Sequence, residues 1–173
     1  MTTFDPSSIK RIAIVGTGTI GASWATHFLA RGFDVIATDP GPGAEPSLRS
    51  YVDAAWDTAA RLGLAAGASR ERLSFTTDLA KAVGDSDFIQ ENAPERPDLK
   101  VKLLADIDAA APPQTIIASS SSGITMSAMQ AKCARAERTV IGHPFNPPHV
   151  IPLVEVVGGI RTSPAVIAAT MAF

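Results

Sequence analysis

Ile12-Ala13-Ile14-Val15-Gly16-Thr17-Gly18-Thr19-Ile20-Gly21 decides the fold. A short apolar run that ends in glycine suits a buried strand, being too short for a buried helix. Gly16, Gly18 and Gly21 follow in a GxGxxG spacing. Ile20, Trp24 and Phe28 then recur every fourth residue, with Ala25 and Leu29 beside them, which is one face of a helix that Gly32 stops. In a strand–loop–helix of this kind Gly16 makes the tight turn and Gly18 lets a pyrophosphate approach the backbone. Gly21 allows close helix–strand packing, and the free N–H groups around Thr17, Thr19 and Ile20 face the phosphates at the positive end of the helix. Phe33–Thr38 reads as a second strand, and Asp39 stands at its end, where a carboxylate can accept from adenosine ribose hydroxyls. Asp39 would repel a 2′-phosphate, and Pro40-Gly41-Pro42-Gly43 offers no arginine to receive one, so NAD is expected over NADP.

Working outward, a Gly/Pro loop over 40–46 leads into an alanine-rich helix through Tyr51 and Trp56 to about Leu62. Strands are expected at 72–76, 87–90, 115–119 and 139–142, with helical patterns at 78–83, 98–110 and 125–133. Strands that alternate with helices give an α/β fold, a Rossmann-type doubly wound and mainly parallel sheet. Ile151–Val157 is a further apolar run, Gly158-Gly159 turns the chain, and Ser163-Pro164 opens a last helix as N-cap and first-turn proline. Residues 1–173 are expected to form one dinucleotide-binding domain that ends inside this helix, leaving Val166, Ile167, Met171 and Phe173 short of cover.

Composition narrows the classes. The 173 residues are 46% hydrophobic and 18% charged, which is globular rather than disordered. Fifteen basic and seventeen acidic side chains leave a net charge of −2, with no pull toward nucleic acid or anionic lipid. Cys133 has no cysteine partner for a disulfide, which fits a reducing cytoplasm. The first residues lack the apolar core of a secretory signal, and no apolar run reaches the ~20 residues of a membrane span.

His143 follows a strand, where open α/β sheets place their ligands, and Glu155 comes twelve residues later within Leu-Val-Glu-Val-Val. Alcohol oxidation by hydride transfer needs a base for the hydroxyl proton, and histidine titrates nearest neutrality. A glutamate in so apolar a run is expected to be buried and to hold the other ring nitrogen. A turn histidine with a solvent-facing glutamate fits the same residues. His27 is expected to pack or lie at the surface, and His149 could line a substrate entrance. No third metal ligand with suitable spacing accompanies His143 and His149, so no metal is expected. Lys132 and Arg135 beside Cys133 could lower its pKa, although a structural thiol is the simpler reading. The serine run 119–122 is expected to be a strand-to-helix loop with Ser122 or a neighbour as N-cap. Trp24, Trp56 and Phe75 are expected in the core.

Four strings carry a resemblance: Asp87–Arg96 (DFIQENAPER), Ile117–Gly123 (IASSSSG), Gly142–Pro148 (GHPFNPP) and Pro152–Gly159 (PLVEVVGG). The chain resembles the 3-hydroxyacyl-CoA dehydrogenase family over nearly its whole length, and most closely the branch that acts on L-carnitine. The resemblance implies His143 as base and Glu155 as its orienting partner. It implies Ser122 and Asn146 as contacts to substrate oxygen and the nicotinamide end of NAD, and Glu95 and Lys100 as NAD contacts. It also implies a cytoplasmic enzyme that works as a homodimer on a small molecule, with a helical C-terminal domain absent from this chain. The fragment would then be inactive alone, or a non-catalytic NAD-binding domain. Ser120 departs from the family pattern, standing where acyl-CoA enzymes usually carry Asn. Residues 46–64 hold no Lys and only Arg49 and Arg61, a poor handle for the phosphates of CoA. A small hydroxy acid is therefore favoured: L-carnitine first, with 3-hydroxybutyryl-CoA and L-gulonate as alternatives.

Overall fold

A computed structural model of the chain describes residues 6–173; residues 1–5, where the expected absence of a secretory signal falls, lie outside them. The elements are β1 (Arg11–Val15), α1 (Thr19–Ala30), β2 (Asp34–Thr38), α2 (Ala44–Leu62), β3 (Leu73–Thr76) and α3 (Leu79–Val83). They continue as β4 (Phe88–Glu91), α4 (Pro97–Ala110), β5 (Ile116–Ser119), α5 (Met126–Met129), β6 (Thr139–Pro144), β7 (Val154–Gly158) and α6 (Pro164–Ala172). The sheet order is β3-β2-β1-β4-β5-β6-β7, with β7 alone antiparallel. The chain winds outward from β1 to β3, returns to β4 beside β1, and winds the other way. That reversal opens a crevice at the C-terminal ends of β1 and β4, the usual ligand site in open α/β sheets.

Burial explains the strands. All four residues of β4 and all four of β5 are buried, as expected for parallel strands covered on both faces. On one face Trp24 stacks on Phe28 with ring centroids 5.1 Å apart, and Phe28, Phe88, Ile14 and Val140 extend that core. On the other face Val15, Ile89, Ile107 and Ile117 form a second cluster. Helix α1 is buried along Gly21–Ala30 except at His27, so its apolar character wraps round it rather than forming a stripe. Gly32 ends it at φ 86°, a left-handed conformation that favours glycine.

Several expectations are corrected. Helix α2 begins at Ala44, so Pro46 lies in its first turn instead of in the loop. The pattern over 125–133 is only the one-turn α5 followed by a 3₁₀ turn, and its N-cap is Thr125, whose hydroxyl accepts from the Ala128 N–H. The serine run therefore caps no helix. Ser163 does cap α6, accepting from the Val166 N–H. The end of α6 is better covered than expected: Phe173 packs against Phe28, Phe33 and Phe88, while Met171 stays exposed. Trp56 and Phe75 are only partly buried against the core. Burial, with Asp108 nearby, raises the Cys133 thiol to about 11 against the pull of Arg161 and Arg138, so it is not an activated thiolate. No helix among the described residues is long and apolar enough to cross a membrane.

His27 makes the fold sensitive to acid. Burial, then the charges of Arg31 and His149, lower its pKa from 6.5 to about 4. Above pH 6.5 the ring is neutral in both folded and unfolded chains. As pH falls below 6.5 the unfolded chain takes up the proton first, so stability drops until the folded pKa of about 4 is reached. The loss is expected to reach at most about 3 kcal/mol. Denaturant midpoints across that range should fall less for His27→Gln than for the unchanged chain; equal falls would remove His27 as a cause.

Candidate active site

The glycine loop is built as its spacing implies. Gly16 takes φ 87°, and a Cβ there would meet the Asn92 backbone at 2.9 Å. A Cβ on Gly21 would lie 1.9 Å from the Gly16 carbonyl oxygen, so the helix can start this close to the strand only with glycine. A Cβ on Gly18 would meet nothing within 4 Å, which leaves open space above the loop. No side chain caps the N-terminus of α1. The Gly16 N–H donates to the Thr38 carbonyl at 2.9 Å and the Asn92 N–H to the Val15 carbonyl at 2.7 Å, so the loop starts are fixed to the sheet. Asp39 Oδ2 accepts from the Thr17 N–H at 2.9 Å and from its hydroxyl at 3.2 Å, while Oδ1 accepts from the Gly41 N–H at 2.8 Å. The carboxylate therefore stands at the edge of the glycine loop. Open space over Gly18, an uncapped helix start and an acid at the end of β2 fit a dinucleotide, with phosphates at the loop and ribose at Asp39.

His143 and Glu155 are cross-strand partners, paired in the antiparallel register of β6 and β7. His143 Nδ1 lies 3.0 Å from Glu155 Oε2. A carboxylate only accepts, so Nδ1 carries the proton, and in the neutral ring Nε2 keeps its lone pair. The twelve-residue spacing is thus a hairpin that returns Glu155 to the histidine. The buried environment expected for Glu155 is corrected: its side chain is 58% exposed, against 28% for His143. The cause is position in the sheet. Among the described residues β7 is an edge strand, and Val154 and Val157 are exposed beside Glu155.

His143 and Glu155 line a groove of about 270 Å³ with Ser122, Ile124, Thr125 and Val157. A larger cavity of about 420 Å³, lined by Trp24, Phe28, Val156 and Phe173, contains neither His143 nor Glu155. Alternation along β6 explains the separation, because Gly142 lines the larger cavity while His143 lines the groove. Ser122 and Asn146 are exposed, and Asn146 precedes a cis bond to Pro147. His149 Nδ1 is 2.7 Å from the Ser23 hydroxyl on α1, which ties the β6–β7 loop to that helix, and burial lowers its pKa.

Glu95 and Lys100 come together around Glu91, a residue that sequence pattern alone did not single out. Lys100 is 1% exposed, and its ammonium lies 2.9 Å from each oxygen of Glu91, itself 0% exposed. The same ammonium is 3.7 Å from Glu95 Oε2. Ser120 is a second node of this kind. Its hydroxyl donates to Asn92 Oδ1 at 2.8 Å and accepts from Gln90 Nε2 at 2.8 Å and Trp24 Nε1 at 3.2 Å. Those bonds tie the ends of β4 and β5 to α1. The signal that could have found Glu91 is a glutamate ending the apolar strand Phe-Ile-Gln-Glu.

A doubly wound sheet with this loop, acid and helix start defines a dinucleotide-binding domain of a dehydrogenase. The chain belongs to the 3-hydroxyacyl-CoA dehydrogenase family, since residues 11–173 match the model of its NAD binding domain. It is 58% identical over 163 residues to the L-carnitine dehydrogenase of Streptomyces coelicolor, covering 94% of this chain and 51% of that protein. The L-carnitine dehydrogenase of Bacillus cereus is 52% identical over 161 residues, covering 93% of this chain and 49% of that protein. The chain thus spans about half the length of these relatives. Among solved structures, (S)-3-hydroxybutyryl-CoA dehydrogenase from Ralstonia eutropha superposes with a TM-score of 0.86 at 33% identity, over 95% of this chain and 59% of that one. An NAD-dependent 5-formyl-3-hydroxy-2-methylpyridine-4-carboxylic acid 5-dehydrogenase superposes with a TM-score of 0.85 at 37% identity, over 95% and 53%.

Proposed function

We propose that this chain is the NAD-binding and proton-transfer part of a dehydrogenase that oxidises a 3-hydroxy acid, L-carnitine, to its 3-oxo acid, 3-dehydrocarnitine. The observation that carries the reading is the 3.0 Å contact between His143 Nδ1 and Glu155 Oε2 at the ends of paired strands. NAD, when bound, supplies the hydride acceptor. Gly16, Gly18 and Gly21 would give it a close backbone approach, the N–H groups at Thr19 and Ile20 would face its phosphates while the Thr17 N–H is held by Asp39 Oδ2, and Asp39 would accept from its ribose. His143 Nε2 takes the hydroxyl proton, and Glu155 fixes the ring and steadies the imidazolium that results. Ser122 and Asn146 offer the polar groups that hold the substrate oxygen. Lys100 and Glu95 belong to the same cofactor-side constellation.

Two facts favour a small hydroxy acid over acyl-CoA. The relatives at 58% and 52% identity are L-carnitine dehydrogenases. Arg49, on α2, has both its Nε and an NH2 group bonded to Glu45, at 3.0 and 2.9 Å. Arg61 is then the remaining cation on α2, a poor handle for the phosphates of CoA. Exposed Leu153, Val154, Val157 and Ile160 give an apolar edge suited to further packing, in keeping with a cytoplasmic homodimer.

Steady-state assays on a protein of family length carrying this chain test the proposal. L-Carnitine with NAD is expected to give the highest kcat/KM among L-carnitine, 3-hydroxybutyryl-CoA and L-gulonate, each with NAD and NADP. A higher value with the acyl-CoA, or equal use of NADP, would overturn the assignment.

A further inference from the structure

The loop between β6 and β7, which carries Asn146, reaches the helices through His149. Within the loop the Phe145 N–H donates to the Leu153 carbonyl at 3.0 Å, and the Val150 and Ile151 N–H groups donate to the Pro147 carbonyl at 2.9 and 3.0 Å. Phe145, Asn146, Val150 and Ile151 are exposed, whereas Pro148 is buried and His149 half-buried. Among the described residues, the hydrogen bonds that join this loop to a helix both run between His149 and Ser23, a fully buried residue of α1. The His149 N–H donates to Ser23 Oγ at 3.2 Å, and His149 Nδ1 lies 2.7 Å from the same oxygen. That oxygen already accepts from the main chain, so the one hydroxyl proton goes to Nδ1, which must be the unprotonated nitrogen. His149 is thereby a neutral ring with its proton on Nε2, the opposite tautomer to His143. Burial lowers its pKa, which favours the neutral form. The ring also meets Tyr51 of α2 edge to face, with centroids 6.1 Å apart.

We propose that His149 is a positioning residue: through Ser23 it seats the β6–β7 loop on α1 and so fixes where Asn146 stands relative to His143. The proposal rests on the reading of Asn146 as a contact to substrate oxygen and the nicotinamide end of NAD. His149 lines a cavity of about 210 Å³ with His27, Arg31 and Leu62, separate from the groove that His143 lines. Its ring therefore faces α1 and α2, and it acts on the groove through the loop. Ser23 stands two residues after Gly21, on the helix that starts from the glycine loop. The latch thus references Asn146 to the same element that offers its N-terminus to the phosphates. A misplacement of ~1 Å in such a group can cost ~10²-fold in rate.

The test uses a protein of family length carrying this chain, with S23A, H149F, H149N and N146A. S23A removes both bonds. H149F keeps a ring against Tyr51 but has no acceptor, whereas in H149N the amide oxygen takes the place of Nδ1 and can accept again. With NAD, kcat/KM for L-carnitine is expected to fall ~10–100-fold in S23A and H149F and to return to within about threefold of the parent in H149N. In an N146A background S23A should cost less than about twofold more, because the group that the latch places is gone. Amide exchange at Val150 and Ile151, whose acceptor lies in the loop itself, should quicken ~3–10-fold in S23A and H149F while β1 and β4 amides stay protected. Alanine suits a helix interior; should S23A still fail to fold, H149F and H149N decide. Unchanged loop exchange in S23A and H149F, equal losses in H149F and H149N, or an S23A loss of the same size with and without Asn146 would overturn the proposal. Parent-level turnover in N146A would overturn the reading of Asn146 and the placing role with it. A failure of the latch alone would instead leave N146A impaired and loop exchange unchanged.

Discussion

Replacing His143 by Gln in a protein of family length is expected to lower turnover by ~10²–10⁴-fold and leave NAD affinity unchanged. Gln can still bond Glu155 across the strand pair, so the hairpin is kept. It has no basic nitrogen at the position of Nε2, so the hydroxyl proton has no acceptor of suitable basicity. Glu155→Gln should cost less, because the base remains and only the orientation and charge partner are lost. Glu155 is more than half exposed, and water weakens its electrostatic contribution, which adds to that expectation. The check is a kinetic comparison at saturating NAD with a parallel binding isotherm. Near-normal turnover in His143→Gln would show that another group takes the proton.

The second large effect concerns stability. Lys100→Met would leave Glu91 buried beside Ser119 and Ala93 with no cation, and removing one partner of a buried pair typically costs ~3–5 kcal/mol. Domains commonly have only ~5–15 kcal/mol in total, so much of the fold's margin would go. The double change Glu91→Gln with Lys100→Met should recover much of the loss, because no uncompensated charge stays behind. Denaturant midpoints at one pH decide it. A Lys100→Met midpoint equal to the parent's would mean that the pair carries no such weight.

How far the sequence could be read varied with the range of the interactions involved. Strand, glycine loop, helix and Asp39 are local, and each follows from neighbours within about two turns of chain. The His143–Glu155 pairing was also legible, since a hairpin of that length returns one strand to the other. Exposure of Glu155 was not. Leu-Val-Glu-Val-Val has the same composition on an edge strand as on a central one, and strand order is a property of the whole sheet. The Glu91–Lys100 pair escaped for a similar reason. A lysine in a helix usually faces water, and only the placement of α4 over β4 and β5 turns this one inward. Ser120 reads as a loop serine until Trp24, Gln90 and Asn92 converge on it from three parts of the chain. Cys133 shows the converse, where neighbouring basic residues suggested activation and burial prevailed.

The central claim is that His143 takes the substrate's hydroxyl proton beside an NAD held at the glycine loop. A crystal structure of a family-length protein carrying this chain, with NAD and L-carnitine bound to His143→Gln, tests it most directly. The account predicts the carnitine hydroxyl ~2.6–3.2 Å from the polar end of the residue 143 side chain, with Ser122 or Asn146 on the same oxygen. The nicotinamide would lie on the other side of the carbinol carbon, and the pyrophosphate over Gly18. A carnitine hydroxyl directed away from residue 143 and toward another titratable group would contradict it.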